Sequence, residues 1–201
     1  MTARIDHTVT SGTFSLDGQT FDVDNNVWVV GDEDECIVID APHDIPAILD
    51  VVAGRRVQAI VCTHGHDDHV RYAPALGAAT GAPVLLHPDD LVVWHLTHES
   101  EPDGELADGQ EFAVGGTVLR VLHTPGHAPG AVCLYAPDLG VVFTGDTLFN
   151  GGPGATGRSF SDYDTIVDSI RTRLFVLPPE TVVKAGHGED TTIGAEDSAL
   201  S

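Results

Sequence analysis

The sequence predicts an α+β fold in which two mixed β-sheets face each other and helices cover their outer surfaces. Two observations indicate this class. Short β-branched runs alternate with helical segments in two successive halves of the chain, and there are more strands than a simple βαβ array contains. A chain of 201 residues is long enough to bury a full core, so we expect one domain over residues 1–201.

The first half is predicted to contain four strands and three helices. The strands are apolar runs bounded by turns, at 26–32, 36–41, 57–63 and 83–87. The helices are expected at 45–53, 72–79 and 89–96. Asp44 can cap the first helix, and Gly54 and Gly81 can end the first two. The segment 97–110 is a polar loop by composition.

The second half is predicted to be richer in strands. Four apolar runs indicate strands at 117–124, 131–137, 140–146 and 181–187. A glycine-rich loop covers 150–157. A helix is expected to begin after Ser161 or Asp162 and to continue to about 177, where two prolines follow.

The charge balance restricts the possible partners. The chain has 31 acidic residues against 9 basic ones, a formal net charge of −22. Nucleic-acid binders neutralise phosphates with clustered Lys and Arg, so neither a nucleic acid nor an anionic membrane is expected as a partner. No stretch approaches about 20 apolar residues and the N-terminus has no apolar signal region, so we expect a cytoplasmic protein.

The three cysteines are predicted to be core residues. Cys36, Cys62 and Cys133 each lie in an apolar stretch, and no CxxC pair occurs. Neither a cysteine-ligated zinc site nor a disulfide framework is therefore indicated.

The segment THGHDDH at 63–69 is the strongest functional signal. It places His64, His66, Asp68 and His69 directly after the apolar run at 57–63. Four ligand-type side chains so close together do not fit one helix face, but in a loop they can surround two centres. Histidine is the commonest protein ligand for metals.

Three further ligand-type residues lie where an apolar run gives way to a glycine-flanked turn. They are His127, Asp146 and His187. Strand ends gathered at one edge of a sheet sandwich would bring these loops together with the segment 63–69. The pattern predicts a metal centre at that edge.

This set of motifs resembles the metallo-β-lactamase superfamily, and the segments TPGHAPG, FTGDTLF and GHGEDTTIGAE are similar to its glyoxalase-II-like hydrolases. The resemblance implies an αββα sandwich with the metal centre at one edge. It implies that one metal is held by His64, His66 and His127. It implies that the other is held by Asp68, His69 and His187, with Asp146 as the bridge. Asp40 matches a superfamily aspartate that braces a ligand histidine.

The resemblance also implies the chemistry. Imidazole and carboxylate ligands suit zinc, iron or manganese, and we expect two divalent ions, with zinc favoured. Two ions that share a carboxylate can deprotonate a water, so Asp68 and Asp146 are the candidate catalytic residues. The implied reaction is hydrolysis of a small acyl-thiol, from which a thiolate leaves readily.

Alternatives remain open within the superfamily, because one fold hosts many reactions. The first is a persulfide dioxygenase with one iron, held by residues matching His64, His127 and Asp146. The second is a β-lactamase or lactonase, although many β-lactamases lack a bridging aspartate. A metal-binding protein without catalysis and an RNA-processing nuclease are less favoured, the nuclease because of the charge balance.

The glycine-rich loop formally contains GxGxxG, but it does not directly follow a strand, so a dinucleotide site is not predicted. We expect this loop to shape the mouth of the pocket. Arg158, at its end, is a candidate for binding a substrate carboxylate, with packing as the alternative. Few residues follow His187, so the C-terminal helical domain of full-length glyoxalase II is not expected, and glutathione specificity is open.

The remaining histidines lack motif support and are predicted to be surface or packing residues: His7, His43, His87, His95, His98 and His123.

Overall fold

The computed structural model describes residues 2–200 and has four layers, with two mixed sheets between outer helices. This arrangement confirms the predicted fold class. The first sheet has the strand order β1-β2-β3-β4-β5-β6. Its pairs are antiparallel from β1 to β3 and parallel from β3 to β6. Its strands are β1 (Arg4–Leu16), β2 (Gln19–Gly31), β3 (Glu35–Ile39), β4 (Arg56–Val61), β5 (Val84–Leu86) and β6 (Gly104–Glu105).

The second sheet has the strand order β14-β13-β10-β9-β8-β7, and only β10 and β13 pair in parallel. Its strands are β7 (Glu111–Val114), β8 (Thr117–His123), β9 (Val132–Ala136), β10 (Val141–Gly145), β13 (Val182–Ala185) and β14 (Thr191–Thr192). Between β10 and β13 the chain forms a short ribbon of β11 (Leu148–Phe149) and β12 (Gly152–Pro153).

Six α-helices complete the described part of the chain: α1 (Ile45–Val52), α2 (Asp67–Val70), α3 (Ala73–Thr80), α4 (Leu91–Trp94), α5 (Tyr163–Ser169) and α6 (Ile193–Ala199). Asp44 caps α1 as predicted, and Asp162 rather than Ser161 caps α5 by accepting a hydrogen bond from Thr165 N. A π-helical turn at Ile170–Leu174 extends α5. Across residues 2–200 no helix has both the length and the apolar character needed to cross a bilayer.

The core follows the two-residue period of the strands. In β2, Trp28 and Val30 face the second sheet, where they join Phe143 of β10 in one buried cluster. Val27 and Val29 point the other way, into the cluster beneath α1 and α3. A third cluster lies between the second sheet and the helices α5 and α6. The three free cysteines are buried, as predicted.

The main element that sequence reasoning missed is the long hairpin of β1 and β2. The expected strand at 26–32 is only the last part of β2, which pairs with β1 from Arg4↔Gly31 to Leu16↔Gln19. Most residues in the outer half of β2 are exposed, and apolar–polar alternation there is limited to residues 21–24. The signal that was available is the dipeptide Asp17-Gly18, whose positive φ angles of 53° and 72° form a two-residue hairpin turn.

Candidate metal centre

The seven predicted ligand residues meet at one edge of the sandwich. His64, His66, Asp68 and His69 follow β4 of the first sheet, while His127, Asp146 and His187 follow β8, β10 and β13 of the second. Their ligand-type atoms form overlapping groups within 4.8 Å. Strand ends place them there because both sheets end at this edge, which is the placement that the sequence predicted.

One group contains only imidazoles, and we call His64, His66 and His127 the histidine cluster. The three rings are nearly perpendicular, with centroids 4.8–4.9 Å apart. All three side chains are buried. His66 Nδ1 lies 3.1 Å from His127 Nε2, so two ring nitrogens converge on one point.

The neighbouring group combines imidazoles with a carboxylate, and we call Asp68, His69 and His187 the mixed cluster. His187 Nε2 lies 3.3 Å from Asp68 Oδ2 and 3.3 Å from His69 Nε2. His69 is fully buried and His187 is partly exposed. This cluster therefore borders the open side of the centre.

Asp146 lies between the two clusters. Its Oδ1 is 3.3 Å from His69 Nε2, and its Oδ2 is 3.4 Å from His187 Nε2 and 3.6 Å from His127 Nε2. Gly186 leaves the room for this carboxylate, because a Cβ there would lie 2.5 Å from Asp146 Oδ1. One carboxylate thus faces imidazoles of both clusters.

Hydrogen bonds on the outer side fix the orientation of two rings. His127 Nδ1 donates to the carbonyl of Ala155 at 2.8 Å, and His187 Nδ1 donates to the carbonyl of Asp24 at 2.7 Å. A carbonyl only accepts, so Nδ1 carries the proton in both rings. Each Nε2 is then directed at the centre as a ligand atom.

The histidine cluster is electrically neutral at pH 7. Burial lowers the pKa of His66 to about 3, and the neighbouring His127 acts in the same direction. Burial also lowers the pKa of His64 and His127. Neutral imidazole is the form that binds metals, so these rings need no deprotonation before ligation.

The mixed cluster has the opposite character. Burial opposes protonation of His187, but Asp146 and Asp68 outweigh it and raise its pKa to about 10. His69 is likewise raised well above its usual pKa, against burial, by the charges of Asp146, Asp68 and Asp40. The carboxylates are thus balanced by protons in the metal-free protein.

The residues fit a cationic group. His64 Nε2, His66 Nε2 and Asp146 Oδ1 are buried and have no hydrogen-bond partner among residues 2–200. Buried polar atoms are otherwise almost always paired, because an unpaired one loses its hydration without compensation. Metal ions at this centre would satisfy His64 Nε2 and Asp146 Oδ1, which are ligand types that zinc, iron and manganese accept, while His66 would bind through Nδ1, the atom that faces His127 Nε2.

Asp40 lies where the sequence predicted a brace. Its Oδ2 accepts a hydrogen bond from His69 Nδ1 at 2.8 Å, and its Oδ1 accepts one from Thr63 N at 2.7 Å. Its own backbone has a φ of 64°, which is unfavourable for a non-glycine residue. The contacts of its carboxylate compensate for that strain and hold the His69 ring.

A second brace was not predicted. Asn25 Nδ2 donates to Asp68 Oδ2 at 3.1 Å, and Asn25 Oδ1 accepts from His43 Nε2 at 2.8 Å. His43 thereby orients the amide, a role beyond the packing role expected for it. Neither residue belongs to a metal motif, and Asn25 is 43 positions from Asp68 in the chain, so no sequence signal connected Asn25 with the centre.

His123 does not reach the centre. Its ring stacks on His87 with centroids 4.0 Å apart and planes 13° apart, and its Nε2 donates to the carbonyl of Pro129. With Asp89, whose Oδ2 lies 3.8 Å from His87 Nδ1 and 4.0 Å from His123 Nε2, the two rings form a group of ligand-type atoms separate from the centre. The stacking of the two rings is compatible with the surface or packing role predicted for both residues.

A pocket of about 470 Å³ opens above the centre. His66, Asp68, His127, Asp146 and His187 form its polar side, and Phe14, Phe21, Val23 and Phe149 contribute apolar walls. Phe14 and Phe21 come from the hairpin that the sequence analysis missed, so this wall was not predicted either.

Arg158 lines the same pocket. Its guanidinium carbon lies 4.5 Å from the ring centroid of Phe21 and 5.6 Å from that of Phe14. Its Nη1 is buried without a hydrogen-bond partner among residues 2–200. The side chain therefore packs against aromatic rings and keeps a donor available.

Comparison with known proteins agrees with this geometry. Residues 20–187 match the sequence profile of the metallo-beta-lactamase superfamily. A protein of uncharacterized function from Aquifex aeolicus is 36% identical over 185 residues, which cover 85% of this chain and 88% of the relative. The hydroxyacylglutathione hydrolase GloC of Haemophilus influenzae is 32% identical over 186 residues, which cover 85% of this chain and 87% of the enzyme.

A solved structure extends the match to the fold. The protein TTHA1623, crystallised in a di-iron-bound form, superimposes with a TM-score of 0.75 at 33% identity. The superposition covers 92% of this chain and 95% of that one. The sequence match, the sandwich and the edge-sited cluster of His and Asp agree, and the chain belongs to the metallo-beta-lactamase superfamily.

Proposed function

We propose that this chain is a dinuclear metal-dependent hydrolase that cleaves thioesters of small thiols. The observation that carries the proposal is the position of Asp146, whose two oxygens face imidazoles of both clusters at 3.3–3.6 Å. A carboxylate in that position would be shared by two ions, whereas a single ion held by the histidine cluster would leave the mixed cluster without a role. Similarity to a hydroxyacylglutathione hydrolase supports the same reaction class.

The seven residues divide into two ligand sets with one shared member. The histidine cluster would hold one ion, the mixed cluster the other, and Asp146 both. Divalent ions bound there, zinc or alternatively iron or manganese, acidify water and polarise a carbonyl. The di-iron form of TTHA1623 makes iron a realistic occupant.

The protein's own side chains supply orientation and exclusion of water. His127 and His187 are held with Nε2 toward the centre by the carbonyls that accept from their Nδ1 atoms. Phe14, Phe21 and Phe149 provide apolar contact for the body of a substrate. Because Arg158 keeps a buried donor, we assign it to an anionic end of the acyl-thiol.

A thioester suits such a site because its leaving group needs little help. A thiol has a pKa of about 8.5, so the thiolate departs without a strong general acid. No acidic side chain has to be reserved for that task, and both Asp68 and Asp146 remain free to act as ligands.

The test is metal content together with turnover of a substrate panel. The panel should include lactoylglutathione, acyl esters of other low-molecular-weight thiols, a lactone, a β-lactam and a persulfide. We expect two ions per chain and hydrolysis of at least one acyl-thiol. His95→Ala is a matched control, since that histidine lies on the surface and pairs with Glu101 instead.

Other outcomes identify the alternatives. One iron per chain with oxidation of the persulfide, and no acyl-thiol cleaved, would make the protein a dioxygenase. Cleavage restricted to the lactone or the β-lactam would assign it to those hydrolases. Either result would overturn the thioesterase proposal.

A further inference from the structure

Asp90 is a buried carboxylate that no metal motif contains. It lies just before α4 in the first sheet's outer layer, and its side chain is fully buried. Its Oδ2 accepts a hydrogen bond from Gly65 N at 2.6 Å, and its Oδ1 accepts one from Gly130 N at 2.6 Å. Both oxygens are therefore engaged by backbone donors.

The two donors belong to the two loops that carry the histidine cluster. Gly65 stands between His64 and His66, and Gly130 closes the turn that contains His127. One backbone hydrogen bond, from Val132 N to Thr63 O, also joins these segments. With the Val132–Thr63 hydrogen bond alone, the two loops could rotate relative to each other. The link through Asp90 lies on the other side of the ligands and therefore fixes the relative orientation of the two loops.

The close contact with Asp90 requires glycine at both positions. A Cβ on Gly130 would lie 2.6 Å from Asp90 N, and a Cβ on Gly65 would lie 3.0 Å from Asp90 O. Neither position can accept a side chain without moving the Asp90 segment. The close approach is thus a property of all three residues.

We propose that Asp90 is a positioning residue that clamps the two loops of the histidine cluster in the orientation that binds a metal ion. The inference rests on one part of the proposed function, namely that the histidine cluster binds a metal ion. It does not depend on the substrate. The mixed cluster is braced by different groups, namely Asp40, Asn25 and the carbonyl of Asp24. The effect of Asp90 should therefore be selective for one ion.

The carboxylate is ionised under ordinary assay conditions. Burial raises the pKa of Asp90 to about 6, while the hydrogen bonds from Gly130 and Gly65 limit the rise. At pH 7.5 both oxygens accept. An asparagine side chain in the same place has only one acceptor oxygen. Its NH2 group would face the N–H of Gly65 or Gly130, so one of the two hydrogen bonds would be lost.

The experiment compares Asp90→Asn in two single-cluster backgrounds at pH 7.5. His187→Ala leaves the histidine cluster intact, and His66→Ala leaves the mixed cluster intact. Co²⁺ is titrated into each metal-free protein in competition with a chelator, and its visible absorption reports the coordination. In the His187→Ala background we expect Asp90→Asn to weaken Co²⁺ binding about 10–100-fold, as for other groups that orient ligands. In the His66→Ala background we expect a change below about threefold.

Melting temperatures of the metal-free proteins separate positioning from general stability. Equal weakening in both backgrounds, following the loss of melting temperature, would reduce Asp90 to a structural residue. Unchanged Co²⁺ affinity in the His187→Ala background would overturn the proposal outright. Gly130→Ala keeps the carboxylate but forces the contact apart, so it should reproduce the selective loss and serves if Asp90→Asn does not fold.

The result is independent of catalysis. If the otherwise unaltered protein binds two ions but cleaves no acyl-thiol, the proposed function fails while the Asp90 test still stands. If a single-cluster variant binds no Co²⁺, the two-step titration of the protein with only Asp90→Asn decides, since one of its two steps should weaken. If the protein binds only one ion, the dinuclear proposal fails. The Asp90 proposal is then tested by whether Asp90→Asn weakens Co²⁺ binding at that one site.

Discussion

The two clusters at the sheet edge use the same ligand chemistry but differ in electrical state. The histidine cluster consists of buried rings whose pKa values are lowered, so it is neutral. The mixed cluster holds His69 and His187 with raised pKa values beside Asp68 and Asp146. In the first cluster buried nitrogens lack partners, whereas in the second protons balance the carboxylates. The difference teaches that one site is open to a cation and the other must first release protons.

The largest effect is expected at Asp146, the group that both clusters share. Asp146→Asn removes its negative charge and one acceptor oxygen, so binding of both ions should weaken by more than about 100-fold, beyond what a change in an orienting residue costs. Metal analysis after dialysis against a chelator measures this, with His95→Ala as the control. Loss of only one ion would show that Asp146 belongs to one cluster alone.

Single-cluster substitutions should separate the two halves. His66→Ala and His187→Ala are each expected to lower the metal content from two ions to one, because each removes one of three ligands from its cluster. Asp68→Ala should behave as His187→Ala does. If Asp68→Ala and His187→Ala both retain the full metal content, the mixed cluster is not a metal site.

The pH dependence of metal binding should differ between the clusters. His69 and His187 must lose protons before they ligate, so the mixed cluster should release about two protons per ion and the histidine cluster none. Since the folded pKa of His187 is about 10, affinity at the mixed cluster should rise with pH until that value is passed. Calorimetry in buffers of different ionisation enthalpy counts the protons. If His66→Ala and His187→Ala release equal numbers of protons when they bind a metal ion, the two clusters do not differ in protonation.

The same shift predicts how the metal-free protein responds to pH. Its ion pairs with His187 contribute stability that is fully present below pH 6.5 and is lost as pH rises through about 10. Denaturant unfolding of the metal-free protein should therefore show a decline over that interval. The decline should be smaller in His187→Ala, which lacks the titrating ring.

The smallest effect is expected at Arg158, which lies in the pocket but in neither cluster. Arg158→Gln should raise KM for an anionic acyl-thiol about tenfold, the cost of losing one charged hydrogen bond, and leave the metal content unchanged. Arg120→Gln is the control, because Arg120 pairs with Glu111 on the surface. A change in metal content would instead mean that Arg158 supports a cluster.

The seven strands that were predicted from 36 onward have bounds within about two residues of the observed ones, because β-branched runs there are bounded by clear turns. The short strands β6, β7, β11, β12 and β14 were not predicted. Strand β1 and the outer half of β2 were not predicted, because most of their residues are exposed or half-buried and their apolar–polar alternation is short. That omission hid Phe14 and Phe21, and with them the apolar wall of the pocket.

The sequence by itself predicted which seven side chains gather at the sheet edge, since each follows an apolar strand in a short motif that can be identified locally. It also predicted two facing sheets with outer helices, through the order of strands and helices, whereas the strand order within each sheet came from the structure. Only the tertiary structure decided which rings are neutral and which are protonated, because burial and distances to Asp146 and Asp68 set those pKa values. Only the tertiary structure revealed Asn25 and Asp90 as braces, since their partners are distant in the chain. Hydrogen bonds to backbone and side chains leave no pattern in the sequence.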